Sequence, residues 1–190
     1  MFMKEITRHF LQHGILELKT QNPQELADNP QAIIVHGIRA LCDSDTRFRL
    51  SYYLDMLVKE KYGQQPSCLI ALDEQAFSWL VLLCQKGSEY CETDLSYAPI
   101  SDFGQNSKQK PTITGLSPNH SKVLLLTTAI FDEKNVIRIA EFLQEKKIEV
   151  LGVVTLFSFK NSLLKRKKIE CTALSSVSEV IEELNTSMTN

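Results

Sequence analysis

The stretch from Ser121 to Gly152 admits few folds. Val123 to Leu126 is an unbroken apolar run too short for a helix and bounded by polar residues, the pattern of a strand covered on both faces. A polar loop, Thr127 to Asn135, follows. Then Val136, Ile139, Ala140, Phe142 and Leu143 recur at helical spacing, with Asp132 or Asn135 available as cap and Lys146 and Lys147 near the end, where the helix dipole favours cations. A second apolar run, Val150 to Leu156, comes next. Strand, loop, helix and strand within about 35 residues form a βαβ unit. Such units imply an α/β sheet, mostly parallel and flanked by helices, whose ligands bind where strand gives way to helix. That placement makes Thr127 to Asn135 the first candidate site.

The same rhythm recurs upstream. Asp45 to Tyr62 carries Phe48, Tyr52, Leu54, Leu57 and Val58 on one side and Arg47, Arg49, Asp55, Lys59 and Glu60 on the other, closing at Gly63, which predicts a long helix. Cys68 to Leu72 reads as a buried strand. Asp73, Glu74 and Gln75 form the next junction, before an apolar helix from Ala76 to Cys84 with Trp79, the only tryptophan. Upstream of these, Phe2, Ile6, Phe10 and Leu11 predict an amphipathic helix stopped at Gly14. A short strand with Lys19 follows, and Ala32 to Val35 is a strand returning to the body. Downstream, Ile169 to Leu174 suits an edge strand and Val177 to Leu184 a final helix, with residues 185–190 expected to fray. The whole is expected to form one domain: residues 1–40 a small N-terminal element over the C-terminal edge of the sheet, and 41–184 the α/β core.

Bulk properties narrow the function classes. A chain of 190 residues, 43% hydrophobic, is long enough for a sizeable core. Its net charge of -2 offers no global field for nucleic acid or anionic membrane, so neither is expected as a partner. No apolar stretch reaches membrane-spanning length, and Lys4, Glu5 and Arg8 stand where a signal peptide would be apolar, so a cytoplasmic location is expected. Cys42, Cys68, Cys84, Cys91 and Cys171 are widely spaced without a Cys-x-x-Cys pair, which points to reduced structural thiols. His9, His13 and His36 have no carboxylate or cysteine at metal spacing and read as surface or structural groups. Lys160, Lys165, Arg166, Lys167 and Lys168 form the one concentrated basic run. It lacks interleaved aromatics and reads as a solvated turn.

The loop and its frame resemble the ribose-phosphate segment of the type I phosphoribosyltransferases: four apolar residues, two acids, two variable positions, Thr-Thr, Gly, any residue, and Thr or Ser. Here Val123 to Leu126 match the strand, and Thr127 and Thr128 fall on the acids. Phe131 and Asp132 fall on the Thr pair, Glu133 on the glycine and Asn135 on the last hydroxyl. His9-Phe-Leu-Gln-His-Gly-Ile-Leu-Glu-Leu-Lys19 is similar to the opening of the orotate phosphoribosyltransferases, although the Ser-Gly and Ser-Pro-x-Tyr words of the orotate pocket are absent. The resemblance implies a phosphoribosyltransferase-like fold, Rossmann-like, with an N-terminal hood. It also implies a dimer, either a homodimer or a heteromer with a related subunit, and a phosphorylated sugar or nucleotide as ligand. In the family a glycine-rich loop takes the pyrophosphate where this chain has Asp73 and Glu74, and a mobile loop brings lysines over the site where this chain has Lys108 and Lys110, with Gly115 near the end of that loop.

The frame is kept while the chemistry is altered. Phosphate needs close backbone approach and positive potential, and like charges at the pyrophosphate turn oppose it by several kcal/mol. The expected function is a non-catalytic regulatory, scaffolding or ligand-sensing protein. The alternative is an active transferase in which Asp132, Glu133, Asp73 and Glu74 gather Mg²⁺, Thr127, Thr128 and Asn135 hold ribose or phosphate, and Lys108 and Lys110 cover the pyrophosphate.

Overall fold

The computed structural model describes residues 2–63, 66–84, 93–98 and 112–188. Five strands, β3 (Cys68–Ala71), β4 (Asp94–Tyr97), β5 (Lys122–Ile130), β6 (Glu149–Ser158) and β7 (Cys171–Ser176), form a sheet in the order β4-β3-β5-β6-β7, every pairing parallel. The α/β fold expected from the βαβ pattern is therefore present. Its unbroken apolar runs follow from burial on both faces. Leu69, Ala71, Leu124, Leu126, Val154 and Leu156 belong to one core, and Ile70, Val123, Leu125 and Val153 belong to the core on the opposite face.

The first core is covered by four helices: α1 (Phe2–Gln12), α4 (Ser44–Tyr62), α5 (Glu74–Leu83) and α8 (Val177–Met188). Trp79 lies within this core at 1% exposure, so it is a packing residue. The second core is covered by α6 (Glu133–Glu145), through Val136, Ile139, Ala140 and Leu143, and by Leu164 of the short α7 (Ser162–Arg166). Asp132 starts α6 by accepting from the Lys134 amide at 3.0 Å. Lys147, in left-handed backbone at φ 63°, ends it, and Ile148 N–H then donates to Leu143 O.

Within the 1–40 span expected as a hood, residues 16–35 form a small antiparallel element. Strand β1 (Leu16–Leu18) pairs antiparallel with β2 (Ile33–Val35), and α2 (Pro23–Asp28) with a 3₁₀ turn (Pro30–Ala32) lies between them. Asn22 caps α2, and Asn29 caps the turn. The chain then passes Gly37 and the short α3 (Arg39–Cys42) into α4, which Asp43 caps at Thr46 N–H and Gly63 ends at φ 59°. Gly37 is held by close approach: a Cβ there would meet Gln75 Oε1 at 2.5 Å and Trp79 Cζ2 at 2.6 Å. The hood exit is thereby pinned to α5 near the C-terminal end of the sheet.

Several boundaries differ from the sequence reading, and α7 lies in the basic run read as a solvated turn. Strand β5 does not end at Leu126 but continues through Ile130, pairing Thr127 with Thr155 and Ile130 with Ser158. The expected loop from Thr127 to Asn135 is therefore reduced to Phe131 and Asp132. Two β-branched threonines, Ala129 and Ile130 suit a strand that lies between neighbours, and hydroxyls tolerate that position because they find partners there. Likewise α5 begins at Glu74 instead of Ala76, because Asp73 is its cap. The edge strand β7 begins at Cys171 and runs to Ser176. Finally, α8 reaches Met188, so residues placed in a frayed tail extend a helix.

No helix among the described residues is long and apolar enough to cross a membrane. The described cysteines are free thiols: Cys68 is buried, Cys84 and Cys171 are partly buried, and Cys42 is exposed, the one that departs from a structural placement; Cys91 lies outside the described residues. Burial pushes the Cys171 thiol up to about 11 and raises Cys68 as well. Because the thiolate is the reactive form, Ellman titration of the native protein near pH 8 is expected to modify Cys42 quickly and to leave Cys68 and Cys171 unreacted until pH rises or the fold opens. Gly152 gives a second test, since a Cβ there would meet Tyr62 Oη at 2.5 Å and Glu170 O at 2.8 Å. Gly152→Ala is expected to lower stability by about 1–3 kcal/mol, read as an earlier denaturant midpoint.

Candidate functional site

The C-terminal ends of β3 and β5 open into a cleft of about 670 Å³, lined by Ile38, Leu72, Asp73, Glu74, Gln75, Ser78, Tyr97, Thr128 and Ala129. This is where parallel α/β sheets place ligands. Of the residues singled out from sequence, the fold brings Asp73, Glu74 and Thr128 to the cleft. Thr127 joins them through Asp73. Asp132 and Asn135 are not among the lining residues, and Lys108 and Lys110 lie outside the described residues.

Asp73 organises the site. One carboxylate oxygen, Oδ1, accepts from the Ala76 amide at 2.8 Å, capping α5, and from the Thr128 hydroxyl. The other, Oδ2, accepts from the Thr127 hydroxyl at 2.9 Å and from the Thr128 amide at 2.7 Å. Both oxygens of one side chain thus receive two donors each, from a helix terminus and from the adjacent strand. Thr155 adds a further tie by donating its hydroxyl to Thr128 O at 3.2 Å.

The second expected anion turn is also closed, in a different manner. Asp132 serves its own helix. Glu133, 7% exposed, turns away from the cleft and accepts from Leu164 N–H at 2.9 Å, joining the start of α6 to α7. The sequence reading placed Glu133 where phosphate would sit and treated it as a repelling charge. The fold instead uses it as a buried bond between two helices, because α7 has no side-chain cap of its own. Phe131 does not fill the cleft either; it is 39% exposed and its ring lies 5.8 Å from that of Phe157.

The Mg²⁺ set considered from sequence does not fit this geometry. Both oxygens of Asp73 accept hydrogen bonds, Glu133 turns to Leu164 N–H of α7, and Asp132 caps its own helix, so the four carboxylates do not converge on one point. Among the described residues no group of three or more His, Cys, Asp or Glu is placed to hold a metal ion. The other candidates from sequence are dispersed. His9 shares a hydrogen bond with Thr46 and lies 4.1 Å, ring to ring, from His13; His36 meets Glu17 at 2.9 Å; Lys167 pairs with Glu141. Burial lowers the His9 pKa, and the neighbouring His13 and Arg49 lower it further.

Three cleft residues were not read as a site from sequence: Ile38, Ser78 and Tyr97. They come from three separated segments, and the motif frame marks none of them. The one available signal was position, since Ser78 sits early in a helix following a buried strand. Gln75 Oε1 and Trp79 Nε1 are both shielded from solvent and have no hydrogen-bond partner. His120, 5% exposed, also went unread. It accepts from Ser117 N–H through Nδ1 and donates to Asp94 through Nε2 at 2.7 Å, fastening the edge strand β4.

No protein-family model and no curated protein sequence matches this chain. Solved structures do. An orotate phosphoribosyltransferase from Aeropyrum pernix superposes with a TM-score of 0.73 at 12% identity, covering 95% of this chain and 98% of that one. The Mycobacterium tuberculosis orotate phosphoribosyltransferase in complex with 5-phospho-α-D-ribosyl 1-diphosphate (PRPP) gives 0.62 at 12% identity, over 95% and 99%. The adenine phosphoribosyltransferase of Leishmania donovani gives 0.62 at 10%, over 94% and 83%.

The network around Asp73 is open to a sharp test. Asparagine caps helices well, but it supplies one acceptor oxygen where two oxygens now receive four donors, and its amide would face hydroxyl and amide donors. Asp73→Asn is therefore expected to cost nearly as much as Asp73→Ala, about 2–4 kcal/mol each by chemical denaturation; a neutral Asn variant would mean the carboxylate is only a cap. Taken with the parallel sheet, the hood and the cleft at the strand ends, these likenesses show that the chain has the type I phosphoribosyltransferase fold seen in orotate phosphoribosyltransferases.

Proposed function

We propose that this protein is a phosphoribosyltransferase-fold protein that does not carry out phosphoribosyl transfer and acts as a regulatory, scaffolding or ligand-sensing protein of nucleotide metabolism, as a homodimer or with a related subunit. The observation that carries this reading is the internal occupation of both helix N-termini facing the strand ends. The α5 terminus holds the Asp73 carboxylate, and the α6 terminus holds that of Asp132. Exposed helix N-termini bind phosphate because their N–H groups are free and their dipole is positive. Here the chain's own anions take those positions.

Extension of β5 supports the same reading. A ribose-phosphate loop must wrap a ligand with several backbone amides, and two residues between strand and helix provide too little chain to do so. Thr127 and Thr128, which stand where the resemblance places two acids, bond to Asp73 rather than facing open solvent.

The test is Mg²⁺-dependent consumption of PRPP with orotate and with adenine. The expected outcome is no turnover above background. Rates in the ordinary enzymatic range of about 1–10³ s⁻¹ would overturn the proposal.

A further inference from the structure

Resting on the non-catalytic reading, we infer that the cleft at the ends of β3 and β5 selects a small organic cation, a protonated amine or amidinium on a planar or apolar body, in place of an anion. Glu74 carries the charge for this. It is exposed at the start of α5, lines the 670 Å³ cleft and also an adjoining apolar cavity of about 360 Å³, and makes no side-chain hydrogen bond or ion pair among the described residues. Tyr97 also lines both cavities, and its ring meets that of Phe77 edge-on at 5.7 Å. A carboxylate beside aromatic faces is the chemistry that recognises organic cations.

Three further observations point the same way. No Lys, Arg or His is among the described residues lining either cavity, so nothing there competes for Glu74 or attracts an anion. Ser78, exposed on α5, lines the cleft with a hydroxyl oxygen able to accept from an N–H donor. Leu72, Ile38 and Ala129 supply apolar surface for the body of the ligand. The α5 dipole opposes a cation with roughly half a positive charge. Asp73 and Glu74 bring two formal negative charges to the same terminus, so the sum favours the cation.

Isothermal titration with benzamidine, its neutral analogue benzamide and phenyl phosphate tests the assignment. Benzamidine is expected to bind at least tenfold more tightly than either, and to weaken as ionic strength rises. Glu74→Gln, at an exposed side chain without partners, is expected to weaken benzamidine at least fivefold and leave benzamide unchanged, while Phe48→Ala on a remote helix face changes neither. Equal binding of benzamidine and benzamide, preference for phenyl phosphate, indifference to Glu74→Gln, or no binding of any probe at millimolar concentration would overturn the inference. The two proposals fail separately. PRPP turnover overturns the non-catalytic reading whatever benzamidine does, and absent turnover with unselective binding overturns only the cation assignment.

Discussion

A single carboxylate, that of Asp73, holds the functional end of this molecule together. Its oxygens receive the Ala76 amide from α5 and three donors from the Thr127–Thr128 segment of β5. Hydrogen bonds to an ionised group are among the stronger ones available to a protein, and donors left without a partner are costly. These bonds tie helix to strand at the place where the sheet opens to solvent. They also explain why two threonines remain in extended backbone, since their hydroxyls and one amide are satisfied without a loop.

The same bond has an electrostatic consequence. An anion attached to the chain occupies a helix N-terminus without losing the translational freedom that a diffusing phosphate must give up. A phosphate arriving at α5 would have to displace Asp73, leaving its charge and the threonine donors to find new partners. Glu133 works comparably on the other side of β5, where it serves α7. Asp73, Asp132 and Glu133 are thus parts of the scaffold, and Glu74 lines the cleft without a side-chain partner among the described residues.

Much of the architecture was legible because it rests on local, periodic signals. Unbroken apolar runs at Cys68–Leu72, Val123–Leu126 and Val150–Leu156 mark strands buried on two faces. The 3.6-residue recurrence of Val136, Ile139, Ala140 and Leu143 marks α6, and Gly14 and Gly63 mark helix ends at positive φ. Less of the site was legible. Thr-Thr-Ala-Ile looks polar enough to begin a loop, and only its pairing with Thr155, Phe157 and Ser158 makes it strand. Asp73 caps a helix through the nearby Ala76 amide, but its threonine partners lie 54 and 55 residues away, and the destination of Glu133 lies 31 residues away, so both read as repelling charges.

What the amino-acid order determined unaided is the succession of strands and helices, their βαβ linkage and the concentration of carboxylates at the two strand-to-helix turns. These follow from side-chain periodicity and capping, which act over a few residues. Tertiary structure alone decided which carboxylate is consumed by the scaffold and which is left free, where β5 stops, and that Ile38, Gln75 and Tyr97 share one cleft. Such outcomes depend on donors and surfaces from distant segments meeting in space, and a polar group shows its role only once its partner is in place.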